Sequence, residues 1–501
     1  MSATATVTAV PQPTAPPKWE SIGNYMVLLA YSAVVLFTVR YHEKWADEAQ
    51  AWLIARDLDL KTIWFHELRY EGHPGLWHTI LWIAQHVFHA PYAALGYIGV
   101  AFAIAGVAVL VLKAPFPWFI RWPLAFTYVL VYQYAVIARP YTILPLLCFL
   151  VAILFKDIEH PERMTIVLVL LTMLTLHGAI LAACYGLLYL VEAIKSWPQL
   201  NVRLRDRYFI CAAVLTFAFL FLVVILKPTP DVGEFATKRA LDAAPEAVKA
   251  TFPTALAKLT AVISGAFLDF WLSSTIFLVL AGAWCYTRRR LVLYILPMGL
   301  LIALYAKVHG YPHHHGTVFI AAITAFWIAW PSEDETRSFN VRQHRAMHGM
   351  IALLLCLFAV NIWDAAVVIQ REYRYPYSGS KDAAMYLKSV GADRGKVFGF
   401  LFGVNAVQAY FDHNILANIP TAYYHNGLPL VGDTLNVAEL NRVRPEYIVA
   451  YSGEPQLMIR VGIPELESRG YKMVHFSDGY YMYKQAVYQR ESYFILRRVQ
   501  P

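Results

Sequence analysis

The chain has 501 residues, 42 Lys+Arg against 34 Asp+Glu for a net charge of +8, an apolar fraction of 58% and a charged fraction of only 15%. With a mean hydropathy of +0.45, this composition excludes a disordered chain, a coiled coil, a disulfide scaffold and a conventional soluble enzyme, in which about 25% of residues are charged. It fits a protein that crosses a membrane many times. The excess of basic residues calls for no nucleic acid partner, because Lys and Arg gather in short stretches between apolar runs, as the positive-inside bias requires.

Residues 1–20, rich in Pro, Thr and Ala, read as a disordered cytoplasmic tail. They lack the charged start of a cleavable signal, so the first apolar run is expected to stay as an anchor. Runs long enough to span, at about 20 residues each, fall at 22–40, 94–112, 119–137, 140–155, 164–178, 179–195, 208–227, 258–284, 290–307, 314–330 and 349–368. The stretch 164–195 is continuous and has to be cut near His177-Gly178. If the basic loops 196–207, 285–290 and 331–348 are cytoplasmic, then loop 41–74, the turn at Arg139-Pro140-Tyr141, His177, 228–257, 308–313 and everything after 369 lie outside. Residues 75–90 are apolar but carry His78, Gln85, His86 and His89. A full crossing there would upset the sides, so the piece reads as an interfacial or re-entrant helix. The expected architecture is a polytopic α-helical protein of about eleven transmembrane helices, with thirteen also preserving parity.

From about residue 370 the pattern changes. Period-two patches at 396–402, 446–452 and 471–485 predict strands, and 380–390 and 454–470 predict helices. Residues 370–501 therefore form a small extracytoplasmic α/β domain, the size of an independent unit. The five cysteines all sit in apolar runs, without zinc-site spacing, so neither a disulfide framework nor a cysteine metal site is expected.

The first outer loop holds the chemistry-bearing residues. Trp45-Ala46-Asp47-Glu48 opens a helical stretch whose apolar positions Ala49, Trp52, Leu53 and Ile54 can lie on the membrane surface. Acidic side chains ringed by Trp and Tyr suit general-base work on a hydroxyl. Equally, Asp47 and Glu48 can simply fill a first helical turn, where carboxylates complement the dipole. Arg139 sits at the edge of a span, where it either clamps a phosphate bidentately or snorkels to the interface. His177 reads first as a hydrogen-bonded core histidine and second as the lining of a cavity. The outer turn from Lys307 through His309 to His313, His314 and His315 reads as a cationic wall against a lipid phosphate, with a titrating surface loop as the plain alternative. Adjacent histidines make a structural metal the weaker reading. The polar loop 228–257 has the length of a mobile lid.

In order and sidedness, Trp45-x-Asp47-Glu48, then Glu71-Gly72-His73-Pro74, then Arg139-Pro140-Tyr141 resemble the motifs of the GT-C superfamily of membrane glycosyltransferases. The nearest likeness is to the bacterial aminoarabinose-transferase and protein O-mannosyltransferase group, over the membrane region 21–369. The resemblance implies a GT-C fold and an inverting sugar transfer on the outer, periplasmic face of a bacterial cytoplasmic membrane. The donor would be a sugar linked to a polyprenyl phosphate such as undecaprenyl phosphate, and the acceptor a lipid, a glycan or a protein. Asp47, with Glu48 beside it, would be the catalytic base. Arg139, Lys307 and His313 would hold the donor phosphate. Glu71, His73, Arg69, His177 and Tyr141 would line the acceptor side or order the loops. Tyr141 and Thr142 stand where some members place an acidic residue. No cofactor is therefore implied, and the divalent metal of oligosaccharyltransferases is open but not expected.

Two other classes compete. A transporter or flippase of an anionic glycolipid would use the same basic outer cavity without chemistry, but should carry polar residues through the middle of several spans. A lipid-binding scaffold would leave the Asp47 and Arg139 motifs without a purpose.

Overall fold

The structure, a computed structural model, describes residues 17–228, 230, 252–307, 311–394, 396–419, 437–452 and 463–499. The expected tail over 1–16, most of the proposed lid at 228–257, and His309 lie outside the described residues, as does the side chain of Lys307. Helix α1 (Lys18–Tyr41) begins inside the stretch read as tail. It leads into α2 (Ala46–Asp57) and α3 (Leu76–His86), then α4 (Ala94–Lys113), α5 (Trp118–Ala125), α6 (Leu144–Leu154), α7 (Pro161–Thr172), α8 (Leu176–Lys195) and α9 (Val202–Ile225). Beyond residue 251 come α10 (Phe252–Ala266), α11 (Trp271–Thr287), α12 (Leu291–Lys307), α13 (Gly316–Ala329) and α14 (Val341–Arg374). Among the described residues α1, α4, α8, α9 and α14 are long and apolar enough to cross a bilayer, and the α10–α11 pair makes a sixth candidate. Phe209, Phe217, Leu220 and Val223 of α9 stay exposed, as side chains facing lipid do. The chain is a multi-pass membrane protein. At its centre α13 is buried on every side, which its lack of a polar face requires.

Several expected spans are not single straight helices. The run 119–137 stops at Phe126 and continues as a π-helical turn, Val129–Gln133. Pro123 cannot donate to the helical ladder, and Thr127 Oγ1 bonds back to Leu124 O at 2.8 Å. The run 258–284 bends by 72° between α10 and α11, where Asp269 takes a positive φ of 59°. The long stretch 164–195 breaks at Met173–Thr175, and Thr175 caps α8 by accepting from Gly178 N at 2.9 Å. Loop 41–74 does not lie on the membrane surface. Ala49, Trp52, Leu53 and Ile54 of α2 are buried in the protein, with α3 tied against α2 through Gln85 Nε2 donating to Trp52 O at 3.1 Å.

The C-terminal region holds a four-stranded sheet of order β1-β2-β6-β3. Strand β1 (Val397–Phe400) runs parallel to β2 (Tyr447–Ser452). Strand β6 (Ser492–Arg498) is antiparallel to both β2 and β3 (Tyr471–Ser477). The period-two patch over 471–485 forms two strands. Asp478 accepts from Gly479 N, Tyr480 Oη and Ser492 Oγ, and this turn ends β3. The chain restarts as β4 (Tyr480–Tyr483), paired only with β5 (Ala486–Arg490).

That hairpin leaves the sheet and seats in the notch made by the α10–α11 bend. Tyr483 Oη donates to Gly265 O at 3.1 Å, and Gln485 Nε2 to Asp364 Oδ1 at 2.8 Å. Lys484 Nζ pairs with Asp269 and lies 3.5 Å from Asp364 Oδ2, a side chain with no exposure at all. Breaking a buried pair by removing one partner costs about 3–5 kcal/mol, because the other charge is left uncompensated. Lys484→Met should therefore lower the thermal midpoint in detergent by several degrees; an unchanged midpoint would mean the hairpin is held by other contacts.

Candidate active site

Helix α2 starts at Ala46 because Trp45 is extended and the first turn carries Asp47 and Glu48, which complement the exposed N–H groups. The Ala46 N–H donates to Glu491 Oε1 at 3.0 Å, a residue contributed by the C-terminal domain. Three carboxylates thus gather at one helix start, and their surroundings separate them.

Glu48 is fully buried and fully engaged. Oε1 accepts from Ala138 N at 2.6 Å, and Oε2 accepts from Trp45 N at 3.2 Å and faces His42 Nε2 at 2.9 Å. His42 Nδ1 in turn lies 2.9 Å from Glu372 Oε1, and Tyr132 Oη donates to Glu372 Oε2 at 2.5 Å. Both ring nitrogens of His42 face carboxylates, so both carry protons. Burial works against that charge, but Glu48 and Glu372 outweigh it and hold the imidazolium up to about 10. Burial also opposes ionisation of Glu48, yet His42 and the Ala138 N–H keep it below the ordinary range. The resemblance in sequence sets Glu48 beside Asp47 as a catalytic residue. Glu48 does not reach the cleft described below; its work is to fix the backbone immediately before Arg139.

Arg139 is accordingly brought beside Asp47, with Nη1 3.0 Å from Asp47 Oδ2. Its side chain is 12% exposed, so it does not snorkel. Its guanidinium also lies over the Trp45 and Tyr141 rings, at 5.6 and 5.7 Å. Burial raises the Asp47 carboxyl above the ordinary range, against the pull of Arg139.

These two residues form one wall of a narrow cleft, lined by Asp47, Gln50, Glu71, His73, His78 and Arg139 among polar residues and by Trp77 and Phe402 among aromatic ones. Glu71 accepts from Gln50 Nε2, and burial together with Glu67 pushes its carboxyl up to about 8. Gly72, at φ 66°, ends the Leu68–Glu71 helix in the left-handed region, the conformation glycine adopts most freely, and so delivers His73 into the cleft. Burial and the nearby Arg139 push His73 down to about 3, so it is neutral. Among the described residues, His73 Nδ1 and both ring nitrogens of His78 have no hydrogen-bond partner. Larger hollows exist between α7, α8 and α9, at about 830 Å³, and between α11 and α12, at about 880 Å³, but neither is lined by any Asp, Glu, His, Lys or Arg.

The remaining candidates sit around this wall. His313 Nε2 lies 2.9 Å from Arg139 Nη1. His177 Nδ1 meets Tyr141 Oη at 3.1 Å, and Tyr141 stacks on Tyr134 at 5.4 Å beneath Arg139. Arg69 is half-buried on the short Leu68–Glu71 helix, outside the cleft lining. The cationic wall expected at 307–315 is not what the described residues form. Burial first, and then Arg139 and neighbouring histidines, push His313 and His314 well below the ordinary histidine range. Arg139 supplies the positive charge there. Among the described residues no group of three or more His, Cys, Asp and Glu side chains is arranged to hold a metal ion. Sequence reasoning passed over His42, Gln50, Glu372, Tyr481 and Glu491. Of these, only His42 and Gln50 lie in the loop that drew attention.

No protein-family model matches the chain, and no curated protein matches it. Among solved structures it is similar to the mycobacterial arabinofuranosyltransferase AftD, at 11% identity and a TM-score of 0.38, over 98% of this chain and 42% of that one. The chain thus spans less than half the length of that protein, and so loose an overlap carries no function across.

The His42 triad makes stability depend on pH. Histidine titrates near 6.5 when unfolded and at about 10 here, so the triad's contribution is complete below pH ~6.5 and is lost as pH rises toward 10. The thermal midpoint should fall between pH 7 and 10, and His42→Gln should start lower at pH 6 and lose this slope. Parallel slopes for the two proteins would exclude the triad as its source.

Proposed function

We propose that this protein is a glycosyltransferase of the GT-C type, moving a sugar from a polyprenyl-phosphate carrier to a hydroxyl acceptor with inversion at the anomeric carbon. The observation that carries the reading is the meeting of Asp47 and Arg139, 3.0 Å apart, in the wall of a cleft fed by the Glu71-Gly72-His73-Pro74 turn. The pairing matches what the chemistry needs. As the acceptor oxygen bonds to the anomeric carbon, its proton passes to the Asp47 carboxylate. The bond from that carbon to the phosphate oxygen breaks, and the electron pair leaves with the phosphate. A fixed guanidinium in a water-poor wall stabilises that developing charge without reorganising. No step calls for a metal.

The location follows from the same reading. The cleft lies at the ends of the spans opposite the basic loops 196–207 and 331–348, which supports a site on the outer, periplasmic side of a bacterial inner membrane. The carrier tail would remain among the membrane lipids. A flippase is supported less well. The ionisable groups of the cleft sit at one end of the spans, and the hollows elsewhere have apolar linings.

The test is kinetic, with purified protein and labelled polyprenyl-phosphate sugars. Asp47→Asn should lower kcat about 100- to 10,000-fold, the usual weight of a general base, while leaving the protein folded. Arg139→Ala should raise the donor KM about ten- to a hundredfold, as loss of a charged hydrogen bond does. Because the base must be ionised, kcat/KM should climb with pH on a limb lying above the ordinary aspartate range. Near-normal turnover in Asp47→Asn would remove the base assignment.

A further inference from the structure

The β4–β5 hairpin reaches beyond its own domain to the wall that holds Arg139. Tyr481 of β4 stacks on Trp45 at 4.8 Å with the rings inclined by 28°, and its Oη lies 3.1 Å from His313 Nδ1. His313 is the residue whose other nitrogen faces Arg139 at 2.9 Å. Both side chains are buried, with Tyr481 3% and His313 7% exposed.

The proton positions along this chain follow from what each group can do. A guanidinium only donates, so His313 Nε2 must accept and cannot carry a proton. The imidazole is neutral, as the Arg139 charge and its burial demand, so its proton is on Nδ1. That N–H donates to Tyr481 Oη. In the other tautomer an N–H would point at the guanidinium and push it from its place beside Asp47. Which nitrogen of a histidine is protonated is set by the hydrogen bond its other nitrogen makes.

We propose that Tyr481 is a positioning residue for Arg139, its hydroxyl accepting the Nδ1 proton of the His313 tautomer that can accept from the guanidinium and hold it against Asp47. The C-terminal domain, which already brings Glu491 and Phe402 to the site, thereby also helps hold Arg139. Lys484, gripped by Asp269 and Asp364 three residues further on, keeps β4 at the depth this contact requires. The inference rests on the proposed function only for what Arg139 binds; the tautomer argument stands on geometry.

Tyr481→Phe is the sharpest variant, since it keeps the ring on Trp45 and removes only the acceptor. Nitrogen-15 spectra of histidine-labelled protein, with the His313 signals identified by their loss in His313→Gln, should show Nδ1 protonated and Nε2 bare in the parent. In Tyr481→Phe they should show a mixture of tautomers. Binding of unglycosylated polyprenyl phosphate should weaken about two- to tenfold in Tyr481→Phe, the worth of one hydrogen bond. Tyr481→Phe/His313→Gln should bind no more weakly than His313→Gln alone, because the tyrosine acts through the histidine. A parent His313 protonated on Nε2, an unchanged tautomer in Tyr481→Phe, or additive losses in the double variant would each overturn the proposal. If the tautomers behave as stated and the parent binds no polyprenyl phosphate, the positioning role stands and the donor assignment fails.

Discussion

A carboxylate without access to water must find all its partners inside the protein, and Glu48 is such a group. An unpaired buried charge is among the most expensive features a fold can hold. The demands of Glu48 therefore decide how three distant parts of the chain meet. It takes the His42 imidazolium from the end of α1, which takes Glu372 from the end of α14, and it takes the Ala138 N–H from the loop before Arg139. With these three contacts met, the positions of Asp47 and Arg139 follow, since Asp47 is the chain neighbour of Glu48 itself and Arg139 that of Ala138. The most buried of the acidic pair builds the site, and its neighbour faces the cleft.

The same scarcity of water shapes the charge inside. Four histidines, His73, His177, His313 and His314, surround Arg139 or its partners. An imidazolium beside a guanidinium in a low-dielectric wall would be repelled and poorly solvated, so His73, His313 and His314 stay neutral and act as hydrogen-bonding groups. A single fixed cation in such a wall exerts a stronger field than several screened ones at a surface. A histidine-rich turn therefore need not be a basic patch. Here it is a scaffold around one arginine.

How far the sequence discloses this depends on the range of the physics involved. Apolar runs are local, and α1, α4, α8, α9 and α14 stand where hydropathy puts them. Breaks within apolar runs are less legible, because the kink after Pro123 and the 72° bend at 267–270 depend on what packs into them. The bend is occupied by Lys484, a residue far along the chain that no local pattern links to Asp269. Arg139 is visible because it interrupts an apolar run, and Asp47, Glu71 and His73 because they gather in one loop between apolar runs. Glu491 and Tyr481 are not, since a glutamate and a tyrosine near β-strands look ordinary until the hairpin is seen leaving its sheet. At His313 and His314 the cationic reading fails for a related reason: residue type is legible and burial is not.

The surroundings of the acidic groups also narrow which of them can take a proton from a hydroxyl near neutral pH. Glu48 is ionised, but its oxygens are committed to His42, Trp45 N and Ala138 N. Glu491, also at the start of α2, has no cation against it, and burial lifts it to about 8, so it already holds its proton. Glu71 lines the cleft, yet burial and Glu67 lift it to the same region, so it too is filled. Asp47 differs from all three. Arg139 opposes the effect of burial on it, it lines the cleft, and its side chain keeps 23% exposure toward that space. A base must be ionised, within reach of the substrate and free to accept. Among these four acids, Asp47 is the one that lines the cleft with a cation in direct contact, and burial still holds its carboxyl above the ordinary range.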